Sequence, residues 1–418
     1  MNRSQKAVGA AALAAAVLGA VVSAAGGPTV ELGLRGDPTL SVTRSHGLVY
    51  SDAPPVGSAE AAATGDTTAP YALDQTFLLH SRPGSTHKIY LDFTGHTTSG
   101  TSWNTDYNNG YDITSVPFNI DGKAGFSAAE DAVIQRAYLQ VREDYAPFDV
   151  DVTTQDPGVE ALRKTSDTDN AYGVRVVVSD TEYFHPGVGG VAYLNTFTDS
   201  RDTPAFVFTR SSTSSKFIGE ASSHEVGHTL GLHHEGTTSG VTYFSGQGSW
   251  APILGVSYYK PRTQFSRGDY PGANNTEDQL AVITNNGLGY VADDVSGGTD
   301  TVATLPAGTR RYGVIGQTGD VDAYKFSLGS SHTVRIRAFN NAGPVDANLN
   351  LRGVLKTSTG VVKFTSSPSD SLGFDVTVTL PPGLYFLYLT GVGEGSSTAG
   401  GYSSYGSLGF YGTQLDWA

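Results

Sequence analysis

The chain has 418 residues, enough for two or three domains at roughly 150 residues each. Hydrophobic residues make up 39% and charged residues 16%, with 52 glycines and 19 prolines, which implies turn-rich folded domains rather than global disorder. A net charge of −14 argues against nucleic acid and an anionic membrane surface, and the absence of cysteine excludes disulfides, thiolate catalysis and cysteine-bound zinc.

Arg3 and Lys6 precede an uncharged Ala/Val/Leu/Gly run, and Val22-Ser23-Ala24 forms a small-residue cleavage site. This is the pattern of an export signal over 1–24. It predicts a secreted, extracellular protein that leaves no membrane segment behind once the signal is cleaved. No later stretch approaches about 18 consecutive apolar residues. Residues 25–85 are Ala/Pro/Gly/Thr-rich and short of large apolar side chains, which reads as a pro-region or linker.

Alternation begins at His87–Phe93 and predicts a strand. Ser127 and Glu130 form a capping box, and Val133, Ile134, Ala137, Tyr138, Val141 and Tyr145 then recur at helical spacing up to Pro147. Strands are expected at Phe148–Thr153 and Val174–Ser179, an edge strand at Gly189–Leu194 and another strand at Ala205–Phe208. A second long helix should run from Ser214 to Leu230, stopped by Gly231. Thr276-Glu277-Asp278-Gln279 reads as a capping box before Leu280–Thr284. Past Asp293 the pattern changes to short alternating runs, among them Ala323–Leu328, Thr333–Ala338, Phe374–Leu380 and Leu384–Leu389. These predict an all-β sandwich over 294–418.

The second helix carries the chemistry. His224 and His228 are four apart and project from one helical face, a spacing that lets two imidazoles bind one zinc. Glu225 stands where a carboxylate can take a proton from water at that metal. Gly231 allows the chain to turn back, so that His234 arrives as a third ligand and a fourth position stays open, as in a catalytic site. His233 competes for the third position but lies one residue off the pattern. Glu277 would be the third ligand of a gluzincin arrangement, which His234 makes unnecessary.

His224, Glu225, His228, Gly231 and His234 resemble the metzincin signature H-E-x-x-H-x-x-G-x-x-H position by position. The resemblance implies a zinc-dependent endopeptidase with an α+β, zincin-like catalytic domain over 86–293, a mixed sheet plus two long helices. It also implies that His224, His228 and His234 bind zinc and that Glu225 is the general base and acid. Metzincins carry a methionine turn beneath the metal; here Ala251–Tyr259 resembles that turn, with Leu254 in the methionine's place and Tyr258 near the site. A Leu-for-Met exchange conserves volume and costs under about 1.5 kcal/mol. Gly190, Val191, Ala192 and Tyr193 match the metzincin edge strand that binds extended substrate by main-chain pairing. Gly319–Phe326, Pro382–Tyr385 and Tyr405–Gly409 resemble the bacterial pre-peptidase C-terminal (PPC) domain.

Asp106, Asn108 and Asp112, and separately Asp320 and Asp322, space oxygen side chains in a way that suits calcium. The expected partners are protein or peptide substrates, and the expected state is a monomer. With no cysteine, no pro-region thiolate is available to cap the zinc. The alternative reading is a secreted zinc-binding surface or adhesion module that has lost catalysis, marked by Leu254.

Overall fold

Two stretches of hydrophobic pattern in the chain build two kinds of layer. In the computed structural model the described residues are 29–30, 37–55, 68–298, 302–343, 345–369 and 371–417; the expected export signal lies outside them. The chain opens with β1 (Thr29–Val30), β2 (Leu40–Thr43) and β3 (Leu48–Asp52), paired antiparallel in that order. Next come β4 (His87–Asp92) and a two-stranded hairpin of β5 (His96–Thr98) and β6 (Ile113–Ser115), with the short helix α1 (Ser102–Tyr107) between them. The long helix α2 (Ala128–Asp144) leads into β7 (Asp151–Thr153), β8 (Tyr172–Ser179), β9 (Gly190–Tyr193) and β10 (Ala205–Phe208), and the helix α3 (Ser215–Thr229) follows.

Eight of these strands form one mixed sheet in the order β1-β2-β3-β9-β10-β8-β4-β7. β10, β8, β4 and β7 are mutually parallel, while β9 runs antiparallel to both β10 and β3. β8 is buried along its whole length, which explains its nearly unbroken apolar sequence. The α2 capping box forms as expected: Ser127 N donates to Glu130 Oε2 at 2.7 Å and Glu130 N to Ser127 Oγ at 3.4 Å. α2 and α3 pack against each other so closely that a Cβ on Gly219 would lie 2.6 Å from Gln140 Cβ.

Three expectations need correction. The segment before residue 86 is not uniformly poor in structure: Leu40, Val49 and Tyr50 are buried, and β2 and β3 extend the main sheet. As a result Gly190–Tyr193 is an interior strand, because β3 covers the edge it would otherwise expose. The helix after Thr276 is α4 (Gln279–Asn285), capped by Asp278, whose Oδ1 accepts Ala281 N at 3.0 Å, rather than by Thr276. β11 (Trp250–Pro252) and β12 (Arg262–Gln264) pair in parallel just before it.

The remaining strands are β13 (Ala303–Thr304), β14 (Arg310–Ile315), β15 (Val321–Leu328), β16 (His332–Asn340) and β17 (Leu351–Thr357), then β18 (Val362–Ser366), β19 (Phe374–Leu380), β20 (Gly383–Gly391) and β21 (Gly409–Trp417). They form two sheets, β13-β15-β20-β17-β18 and β14-β21-β16-β19. Tyr324 and Leu387 from one sheet share a core with Ile336 and Leu415 from the other. The sandwich also packs on the helical part. Asn348 Nδ2 donates to Asp144 Oδ1 of α2 at 2.7 Å in a buried contact. Tyr405 OH accepts Leu280 N of α4 at 2.8 Å and donates to Asp278 at 2.6 Å. One hydrophobic cluster runs without a break from Leu79 to Leu415, so the boundary expected at 293/294 is crossed by shared core.

Candidate active site

α3 ends where its sequence says it must. Ser214 Oγ accepts Phe217 N at 3.2 Å to start the helix, and Gly231 takes a positive φ of 93° that other residues reach only with strain. The chain then turns back, and His234 faces His224 and His228. His228 Nε2 and His234 Nε2 are 3.1 Å apart. All three rings are almost fully buried.

Each imidazole is oriented by an oxygen at Nδ1, which leaves Nε2 for the shared centre. His224 Nδ1 lies 2.7 Å from Ile253 O and His228 Nδ1 2.8 Å from Leu232 O. His234 Nδ1 meets Asp37 Oδ2 at 2.7 Å and Thr39 Oγ1 at 3.1 Å. Such partners fix the tautomer of ligating histidines. Tetrahedral zinc at about 2.0–2.1 Å from nitrogen needs donor atoms about 3.3 Å apart. The His228–His234 spacing fits, and His224 Nε2 is buried with no hydrogen-bond partner. The donor set therefore suits zinc.

A fourth group completes the cluster. Asp52, the last residue of β3, places its carboxylate among the imidazoles: Oδ1 is 2.8 Å from His234 Nε2, and Oδ2 is 3.4 Å from His228 Nε2 and 3.6 Å from His224 Nε2. Tyr243 OH donates to Asp52 Oδ1 at 2.7 Å. Burial opposes ionisation of Asp52, but His234, His224 and His228 outweigh it and hold the carboxyl well below its usual range. Burial pushes His224 down to about 3, so that imidazole stays neutral as a ligand must be. Burial also acts against protonation of His234, yet Asp52 and Asp37 raise it to about 9.

Glu225 lies beside this cluster, fully buried, with Oε2 unpartnered. Burial and the facing Asp52 carboxylate push its pKa well up. A Cβ on Gly190 would run into Glu225 Oε1, so the first residue of β9 must be glycine for the carboxylate to sit there. Val191, Ala192 and Tyr193 continue β9, where Ser51, Tyr50 and Val49 pair with them. Leu254 is fully buried beneath α3, 3.4 Å from a Cβ placed on Gly227, and its carbonyl accepts Glu235 N at 2.8 Å.

The other candidates have different partners. Tyr258 packs edge-on against Phe217 with ring centroids 5.2 Å apart, and burial with the nearby Asp52 and Glu225 carboxylates pushes its phenol up, while Tyr243 hydrogen-bonds to Asp52 directly. His233 turns away: Glu277 accepts its N at 2.8 Å and meets its Nδ1 at 3.2 Å, which removes both residues from the ligand set. Asp106 builds no oxygen cage, because its carboxylate accepts Ser45 N at 3.0 Å and Tyr193 OH at 2.6 Å. Asp320 and Asp322 do come together, with Asp293 as a third carboxylate within 4.8 Å. Sequence reasoning missed Asp37, Thr39, Asp52 and Tyr243. No spacing rule links Asp52 to histidines more than 170 residues further along the chain.

Residues 100–235, about a third of the chain, match the metallo-peptidase family M12B, reprolysin-like. That span contains the three histidines and Glu225, and the protein is by class a zinc metalloendopeptidase. Among solved structures the chain is similar to the pre-peptidase C-terminal domain of collagenase from Bacillus anthracis, at 16% identity over 27% of this chain and 93% of that one, TM-score 0.21. It is also similar to PliG, a periplasmic inhibitor of g-type lysozyme from Aeromonas hydrophila, at 8% identity over 28% of this chain and 96% of that one, TM-score 0.19. No curated protein matches it. Among the described residues no helix is long and apolar enough to cross a membrane.

Proposed function

We propose that the protein is a secreted endopeptidase that hydrolyses peptide bonds in protein or peptide substrates at a zinc held by His224, His228 and His234. The observation that carries this reading is the convergence of three Nδ1-anchored imidazoles beside a buried Glu225 carboxylate whose Oε2 has no hydrogen-bond partner. When bound, zinc supplies a Lewis acid for the scissile carbonyl and lowers the pKa of water. Glu225 takes the proton from the attacking water and passes it to the leaving amine as the C–N bond breaks. β9 from Gly190 to Tyr193 is the strand that holds extended substrate by main-chain pairing once its β3 edge is freed. Leu254 supports α3 from below, the structural part that a methionine plays in the metzincin turn.

The domain reading is 1–24 export signal, 25–85 pro-region or linker, 86–293 peptidase and 294–418 PPC-like sandwich, in a monomeric extracellular protein. Calcium is a second proposed ion, held by Asp293, Asp320 and Asp322; a rise in melting temperature with calcium that Asp322→Asn abolishes would test it. A catalytically lost binding module would have no use for a buried carboxylate beside the histidines. Cleavage profiling of the zinc-loaded protein and its Glu225→Gln variant, each also carrying Asp52→Ala because Asp52 reaches the same histidines, tests the main reading. New peptide termini should depend on Glu225 and disappear with chelator.

A further inference from the structure

We propose that the β-sandwich is part of the support of the metal site: it holds β12, β12 holds the Ile253 peptide, and the Ile253 carbonyl orients His224. Gln264, Arg262 and Tyr402 are then positioning residues for a zinc ligand; this rests on the zinc peptidase reading above. Three consecutive hydrogen bonds carry the link. Gln264 Nε2 donates to Asn348 O of the sandwich at 2.6 Å, Ile253 N donates to Gln264 O at 3.0 Å, and Ile253 O meets His224 Nδ1 at 2.7 Å. His228 takes its Nδ1 partner from Leu232, four residues on, whereas His224 depends on a carbonyl 29 residues away.

The strands that carry this link have little order of their own. β11 and β12 have three residues each and form a separate two-stranded sheet, with all of those residues buried. A two-stranded ribbon is marginally stable in water, so its order comes from what covers it. α3 supplies one contact, Thr263 Oγ1 donating to Glu220 Oε1 at 2.8 Å. The sandwich supplies more. Arg262 NH1 donates to Tyr402 OH at 2.8 Å, and its guanidinium lies 4.9 Å from the centre of the Tyr402 ring. Asn350 Nδ2 donates to the same hydroxyl at 3.0 Å, and the Tyr402 ring packs with Trp250 of β11. Just before β11, Gln247 Nε2 donates to Ser397 O and Gly401 O, each at 2.6 Å.

Gln264, Arg262 and Tyr402 are all buried, so water does not replace a partner that is lost, and the strand must shift to find another. A shift at Gln264 moves Ile253 and with it the ring of His224. Partners at the second nitrogen of a ligating histidine are worth roughly 10–100-fold in metal affinity. The sandwich therefore contributes to zinc binding as well as to stability. In the rival arrangement α3 and Leu254 hold the Ile253 turn unaided, and the sandwich adds stability alone.

The test uses the full chain and three variants of it. Gln264→Met removes the amide donor but keeps the backbone oxygen that holds Ile253. Tyr402→Phe removes the hydroxyl that Arg262 reaches. Tyr405→Phe is the control: it cuts the sandwich's bonds to Leu280 N and Asp278 on α4, away from β12. Zinc affinity by competition with a chromophoric chelator, the visible spectrum of the cobalt(II)-substituted protein and the melting temperature are measured for each. Gln264→Met should bind zinc roughly tenfold more weakly and alter the cobalt spectrum, with a smaller change in the same direction for Tyr402→Phe. Tyr405→Phe should melt earlier with the zinc affinity and cobalt spectrum of wild type. Should Gln264→Met fail to fold, Tyr402→Phe decides alone. Wild-type zinc affinity and cobalt spectrum in the β12 variants would overturn the proposal, as would an equal affinity loss in Tyr405→Phe. Weaker zinc binding as expected, with no hydrolysis of any peptide once Asp52→Ala is added, would leave this support standing and overturn the peptidase reading.

Discussion

Gly190 and Glu225 are packed so that the α-hydrogen of the glycine faces the carboxylate, and a Cβ there would run into Glu225 Oε1. The start of β9 and the position of the Glu225 carboxylate are thus set by one contact. Gly190→Ala should leave zinc content unchanged and lower kcat by roughly 10²-fold, the cost of displacing a catalytic group by about an ångström. Kinetics in the Asp52→Ala background, with metal analysis, check this; a variant with full turnover would remove the contact from the account.

His233 and His234 are adjacent in sequence and opposite in role. His234 meets Asp37 and the other imidazoles, while His233 is bound to Glu277. His234→Ala should lose most bound zinc, and His233→Ala should keep it. Elemental analysis of the purified variants decides between them, and the reverse pattern would reassign the third ligand.

The contact between α2 and the sandwich predicts a pH dependence of stability. Burial pushes Glu143 up to about 7, and burial with the nearby Glu220 carboxylate raises Asp144 well above its usual range. A carboxyl whose pKa is raised on folding binds its proton more tightly in the native state. The stability that these two groups contribute is therefore fully present below the ordinary carboxylate range and is lost as pH rises toward about 7. Glu143→Gln keeps the acceptor for Asn348 N and should flatten part of that slope in denaturant titrations. An unchanged slope would show that Glu143 does not titrate there.

Much of the catalytic half was legible because its signals are local. The capping box at Ser127, the apolar run of β8 and the stop at Gly231 each depend on residues within a few positions of one another. The three histidines and Glu225 follow from one helical period and one turn. What lay hidden is long-range. The segment holding Asp37 and Asp52 is weak in composition, yet it is stabilised by pairing with β9 and by stacking on the histidines. Glu277 looked like part of a helix cap and instead closes on His233, because Asp278 takes the cap. The shared core between α2 and the sandwich rests on Asn348 and Leu139, whose partners no periodicity reveals.

The most direct test of the central claim compares peptide hydrolysis by zinc-loaded Asp52→Ala protein with that of the Asp52→Ala, Glu225→Gln double variant at equal zinc content. General acid–base groups contribute roughly 10²–10⁴-fold in rate, and the double variant should be slower by that factor. Equal rates in the two proteins, or no hydrolysis of any peptide in a diverse library by the fully zinc-loaded single variant, would contradict a peptidase that works through Glu225.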